Sequence, residues 1–245
     1  MKAAMPSLSP TFDRRWWYGL PLALLALMLL AEPSRLDFAL ADLFYIQGQG
    51  FIGRHNDFLE DVLHDRAKQL TIVIGVLAIG GFLLSLLPTR LRPLRRQLGY
   101  LVLAMSLSTS FVTPLKKLTQ MHCPWSLEQY GGVEHFSGLL EPRAQPVEKA
   151  GKCWPGGHAA AGFALLALFF VWRDRYPRLA NAALGFAISL GCLFSLVRMA
   201  QGAHFFSHNL WTALLSWLIC LGLYDLLLYR PPALPQLANN AEPSH

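Results

Sequence analysis

The sequence predicts an all-α fold, a bundle of six transmembrane helices. Three observations predict it. Of 245 residues, 53% are hydrophobic and only 15% charged, against roughly 25% charged in ordinary soluble domains. The charges fall in short clusters between long uncharged runs, a distribution that a soluble core of this size rarely needs. Arg and Lys also gather in alternate connections, the bias that marks cytoplasmic loops. The formal net charge of +6 and the pI near 9.3 follow from that bias. They do not indicate a nucleic-acid partner, because the basic residues are not interleaved with stacking aromatics.

The first apolar stretch runs from Trp16 to Ala31, behind Lys2, Arg14 and Arg15, and closes at Glu32 and Pro33. It has no clear small-residue cleavage site, which predicts a retained helix. Five further runs follow, roughly Leu70 to Leu87, Leu98 to Leu115, Gly157 to Trp172, Leu179 to Val197 and Asn209 to Leu228. Each is long enough to cross about 30 Å of hydrocarbon, with some extension of the shorter ones. Arg90, Arg92, Arg95 and Arg96 separate runs two and three, and Arg173, Arg175 and Arg178 separate runs four and five. With the N-terminal cluster they fall on one side. Both termini are therefore expected inside, with segments 32–69, 116–156 and 198–208 outside.

Residues 1–229 are expected to form the membrane domain. Residues 230–245, rich in Pro, Ala and Asn, are expected to be a disordered cytoplasmic tail. In the first outer segment, Asn56 to His64 has apolar positions at helical spacing behind an N-cap residue, which fits either an interfacial amphipathic helix or a plain connector. Trp16, Trp17, Trp125, Trp154, Trp172, Trp211 and Tyr229 are expected in interfacial belts.

The outer loops hold the residues with chemistry. Lys116-Lys117 opens the second, and Cys153-Trp154-Pro155-Gly156-Gly157-His158 closes it at the start of helix four. A Gly-Gly turn running into a helix start exposes unpaired N–H groups at the positive end of a dipole, a natural anion site. His158 there has a proton to donate. The third outer segment places Arg198 before His204 and His208. Arg offers a planar fork to phosphate, and a neutral imidazole is a good nucleophile toward phosphorus. Singly, each also fits an ordinary interfacial residue. The four-residue interval between His204 and His208 suits a metal as well, but no carboxylate lies close in the sequence to complete a ligand set, and no metal or cofactor is expected.

Together these residues resemble the type 2 phosphatidic acid phosphatase (PAP2) superfamily, whose signatures are K-x6-R-P, P-S-G-H and S-R-x5-H-x3-D. Lys116 with Pro124 resembles the first, Pro155-Gly156-Gly157-His158 the second, and Arg198 with His204 the third. The resemblance implies a metal-independent phosphoryl transfer in two steps. His204 attacks phosphorus and His158 protonates the leaving oxygen, while Lys116, Lys117, Arg198 and the amides of Gly156 and Gly157 hold phosphate. It further implies a lipid phosphate or diphosphate substrate, active-site loops facing the periplasm, and a multi-pass protein of the bacterial inner membrane in contact with membrane lipids. A phosphotransferase and a catalytically silent lipid-binding protein remain open beside the phosphatase.

Four positions depart from the family pattern. Cys123 stands at the first-signature Arg, Gly156 at the Ser, Val197 at the Ser before Arg198, and His208 at the Asp that orients the nucleophile. A His at 208 takes over the orienting position but brings no negative charge. Lys117, Arg143 and Lys152 are candidates to supply the missing guanidinium's charge. Cys123 and Cys153 share the outer compartment and suit a disulfide, about 3 to 4 kcal/mol for a loop of that size in the chain-entropy model.

Overall fold

The computed structural model describes residues 13–54, 67–141 and 150–229. The helix considered over 56–64, the tail 230–245 and Arg143 lie outside them. Helix α1 (Arg14–Leu30) starts where the Asp13 side chain accepts the Arg15 N–H, a local N-cap. It stops ahead of Pro33, which cannot continue a helix. The chain then bends by 89° into α2 (Ser34–Asp42). A short antiparallel hairpin follows, β1 (Tyr45–Ile46) with β2 (Gly50–Phe51), in the register Tyr45 to Phe51 and Ile46 to Gly50. Gly48 and Gly50 supply the positive φ angles that this turn requires.

The remaining helices are α3 (Ala67–Leu86), α4 (Arg95–Ser110), α5 (Val112–Thr119), α6 (Gly157–Phe163), α7 (Leu166–Trp172), α8 (Pro177–Ala200) and α9 (Phe206–Leu227). All six apolar runs of the sequence fall on helix. Run three is divided at Phe111 into α4 and α5, and run four near Ala164 into α6 and α7. Among the described residues, four helical segments are long and apolar enough to cross a membrane, and the bent α1–α2 pair makes five; the α6–α7 segment is shorter. Val76, Leu77 and Leu83 of α3 and Leu196 of α8 are exposed, an apolar exterior suited to lipid.

The core lies between α4, α6, α7, α8 and α9, around Tyr100, Leu165, Phe170, Leu221 and Tyr224. Helices α6 and α8 touch backbone to backbone, since a Cβ on Gly162 would lie 2.6 Å from the Gly191 Cα. Small residues permit that approach, and where hydrocarbon surrounds the helices close packing contributes much of their association.

The two ends of the bundle differ. At one, Arg14 pairs with Asp225 at 2.6 Å, Arg96 donates to the Leu227 carbonyl at 2.8 Å, and Tyr224 donates to Asp174 at 2.6 Å. Arg173 lies 4.5 Å over the Trp17 ring. This is the end where the sequence gathers its Arg clusters. Asp225 is thereby held by Arg14 across the bundle. Several tryptophans expected in a belt serve as packing: Trp17 stacks with Phe169 and Trp217, and Trp154 meets Trp211 at 5.4 Å.

Gly162→Ala is expected to destabilise the protein by about 1–3 kcal/mol, because the added methyl meets backbone rather than a movable side chain. Thermal unfolding in detergent checks this. An unchanged midpoint would show that α6 and α8 separate freely.

Candidate active site

At the other end of α9, three distant segments converge. Lys116 is in the last turn of α5, Gly156 and Gly157 open α6, Arg198 is in the last turn of α8, and His204 precedes α9 with His208 in its first turn. Lys116 reaches the glycine turn, where a methyl on Gly157 would sit 3.4 Å from the Lys116 Nζ. Lys117, about 100° further round the helix, is exposed and does not share that position. Lys152 is exposed as well.

Gly156 is a glycine for a local reason. A Cβ there would lie 2.4 Å from Asn209 Oδ1 and 3.4 Å from Thr212 Oγ1, so the family's Ser would require the Asn209 side chain to shift. The Gly156 N–H donates to the His208 carbonyl at 3.1 Å, and Thr212 Oγ donates to the Gly156 carbonyl at 3.2 Å. This corrects the expectation that both glycine amides face an anion. The Gly156 amide is engaged, and Gly157, first in α6, is the one without a helical acceptor. His158 follows in the same turn, half-buried.

Arg198 Nη1 donates to Gln201 Oε1 at 2.7 Å, and its guanidinium lies 5.8 Å from the Trp125 ring centre. Two backbone bonds fix the loop behind it, Ala203 N–H to the Arg198 carbonyl at 2.8 Å and Trp125 N–H to the Gly202 carbonyl at 2.9 Å. Gly202 turns there with φ 69°, and a Cβ would strike Phe51. The first-motif and third-motif loops are thereby joined.

His204 is 3% exposed and its Nδ1 lies 2.6 Å from the Cys153 carbonyl. A carbonyl only accepts, so Nδ1 carries the proton and Nε2 keeps its lone pair. Complete burial, then the charge of Lys116, the neighbouring His208 and Arg198, holds the imidazole well below its ordinary pKa. It is neutral, the form that attacks an electrophile. Among the described residues no hydrogen bond joins it to the His208 ring. The two ring centres are 6.0 Å apart, and the contact that fixes His204 goes to Cys153, which is bonded to Cys123.

Sequence reading missed two residues. Asp37 of α2 is 4% exposed and accepts the Ser207 N–H at 2.8 Å and the Ser207 hydroxyl. Phe205, at the N-cap of α9, has no capping side chain, so Asp37 caps that helix from another element. Its only signal was an acid beside Phe38 and Ala41, which burial would force to find donors. The second is Arg54, exposed, whose guanidinium also lies 5.8 Å from the Trp125 ring centre. Gly53 N–H donates to the Ala200 carbonyl at 2.9 Å and seats this strap on the end of α8. No sequence feature announced it.

A family model described as the PAP2 superfamily matches residues 97–232, more than half of the chain. No curated protein and no solved structure matches.

The His204 imidazole is expected to stay neutral as pH falls through about 6.5, the range where a solvated imidazole titrates. Nitrogen-15 NMR of labelled histidine reads this directly, and a His204 titration near 6.5 would contradict it. The unfolded chain takes up that proton and the folded chain does not, so the stability contributed by neutral His204 is present above this range and declines below it. Asp37→Ala is expected to leave two donors of Ser207 unmet and lower stability by about 1–3 kcal/mol, measured by thermal unfolding.

Proposed function

The chain belongs to the PAP2 superfamily, and from that premise we propose that it is a membrane phosphatase hydrolysing a lipid phosphate or diphosphate through a phosphohistidine intermediate. The observation that carries this reading is the convergence of Lys116, Gly157, Arg198 and a buried, neutral His204 from three separate segments at one end of the bundle. In the first step His204 Nε2 bonds to phosphorus, the bond from phosphorus to the leaving oxygen breaks, and His158 gives that oxygen a proton. In the second, water attacks phosphorus, His158 takes up its proton and the P–N bond breaks, freeing phosphate. Lys116, Arg198 and the Gly157 amide stabilise charge on the equatorial oxygens, which is most of what phosphoryl transfer asks of a protein.

The exposed apolar helices support a substrate taken from the bilayer. The Arg-rich end, by the positive-inside bias, is cytoplasmic, which turns the site toward the periplasmic side of an inner membrane. We assign to Arg54 the second guanidinium that Cys123 removes from the first signature, since it shares Trp125 with Arg198 and Lys117 does not reach the site.

Purified protein given a short-chain phosphatidate or an isoprenyl diphosphate is expected to release phosphate without an added acceptor. His204→Ala is expected to reduce that rate by at least about 1000-fold, the scale of losing a nucleophile. Wild-type turnover in the variant, or turnover that requires an acceptor alcohol, would refute hydrolysis through His204. Arg54→Ala is expected to lower kcat/KM about tenfold, the order of one charge-assisted contact, while Lys117→Ala leaves it unchanged.

A further inference from the structure

The role left vacant by the family's Asp is filled from an unexpected place. We propose that the Cys153 carbonyl, held by the Cys123–Cys153 disulfide, orients the His204 nucleophile, making the bridge a positioning element of the active site. This rests on the reading of His204 as the nucleophile.

The contact at 2.6 Å joins two buried groups, and it sets the His204 tautomer. The carbonyl is itself immobilised. Cys153 N–H donates to the Met121 carbonyl at 3.0 Å, and Gly151 passes so close that a Cβ there would overlap the Met121 carbonyl. The disulfide then ties Cys153 to Cys123, two residues from Trp125, whose N–H holds the Gly202 carbonyl. A closed circuit results: His204 to Cys153, across the bridge to Cys123, on to Trp125, and back through Gly202 and Ala203 to His204. A nucleophile in such a ring has little freedom to rotate or to change tautomer. The His208 imidazole also meets the Cys153 backbone, while its own Nδ1 is buried with no hydrogen-bond partner among the described residues.

The substitution of Asp by a carbonyl also has an electrostatic consequence. When Nε2 bonds to phosphorus the ring becomes cationic, and a neutral dipole stabilises that charge less than a carboxylate does. Fixed geometry therefore carries more of the task, which makes the bridge matter more here than an ordinary structural disulfide would.

The test uses the full chain in detergent, a short-chain phosphatidate as probe, and nitrogen-15 histidine NMR of the His204 Nδ1–H. Dithiothreitol breaks the S–S bond, each sulfur gaining one electron and one proton while the reagent closes to its own disulfide. Reduction, and separately the double variant Cys123→Ser with Cys153→Ser, are expected to lower kcat about 10- to 100-fold, the scale of losing an orienting partner. KM is expected to stay within about threefold and the fixed Nδ1–H signal to disappear. Reoxidation is expected to restore both, which separates loss of orientation from unfolding. Adding His208→Asp to the double variant is expected to recover at least about tenfold in kcat. Unchanged kcat and an unchanged Nδ1–H signal after reduction would overturn the proposal, as would failure of His208→Asp to rescue a folded double variant. If the oxidised wild type releases no phosphate, the phosphatase reading fails, and the NMR arm still decides whether the bridge fixes His204.

Discussion

The starts of α6 and α9 are fastened to each other, and the site depends on that junction. Gly156 N–H bonds to the His208 carbonyl, and Thr212 bonds back to the Gly156 carbonyl. Two helix N-termini, each a positive dipole end, are thus brought side by side. Lys116 and Arg198 add their charges to the same place. Such a concentration of positive potential is costly in an empty bundle and favourable around a phosphoryl group. The fold holds it together with neutral contacts and with Asp37, whose carboxylate meets α9 at Ser207.

Around this junction the chain builds an aromatic outer layer. Phe51, Leu127, Tyr130 and Phe205 pack with Phe38, Tyr45, Trp125 and Phe136, so α2, the hairpin and the loop after α5 close over the segment that bears His204. Tyr130 is fixed by its hydroxyl on Asp42 at 2.8 Å. The family match begins at residue 97, yet this layer draws on residues well before it, including Asp37, Phe51 and Arg54. The N-terminal third of the chain therefore contributes to a site whose signature residues all lie later.

Three of the four departures from the family pattern have a local setting in the structure; nothing in it explains Val197. Gly156 stands where a Ser side chain would have to displace the Asn209 side chain. Cys123 gives up a guanidinium and gains a bond to Cys153, whose carbonyl holds His204. The His208 backbone serves the α6 junction, accepting the Gly156 N–H.

Sequence alone determined the helical runs, because the length and apolarity of a segment decide helix in hydrocarbon regardless of its neighbours. It also determined Lys116, His158, Arg198 and His204 as candidates, since their types and intervals survive in any single chain. It could not show that Lys117 turns away, that the Gly156 amide is engaged, or that His204 bonds to Cys153 and not to His208. Nor could it bring Asp37 to Ser207 or Arg54 to Trp125. Those are contacts between residues up to 170 positions apart, and only the packing of helices against one another sets which polar group meets which. Burial then decides the chemistry, because the same histidine that is an ordinary base in water is neutral and fixed in one tautomer when enclosed among cations and a carbonyl.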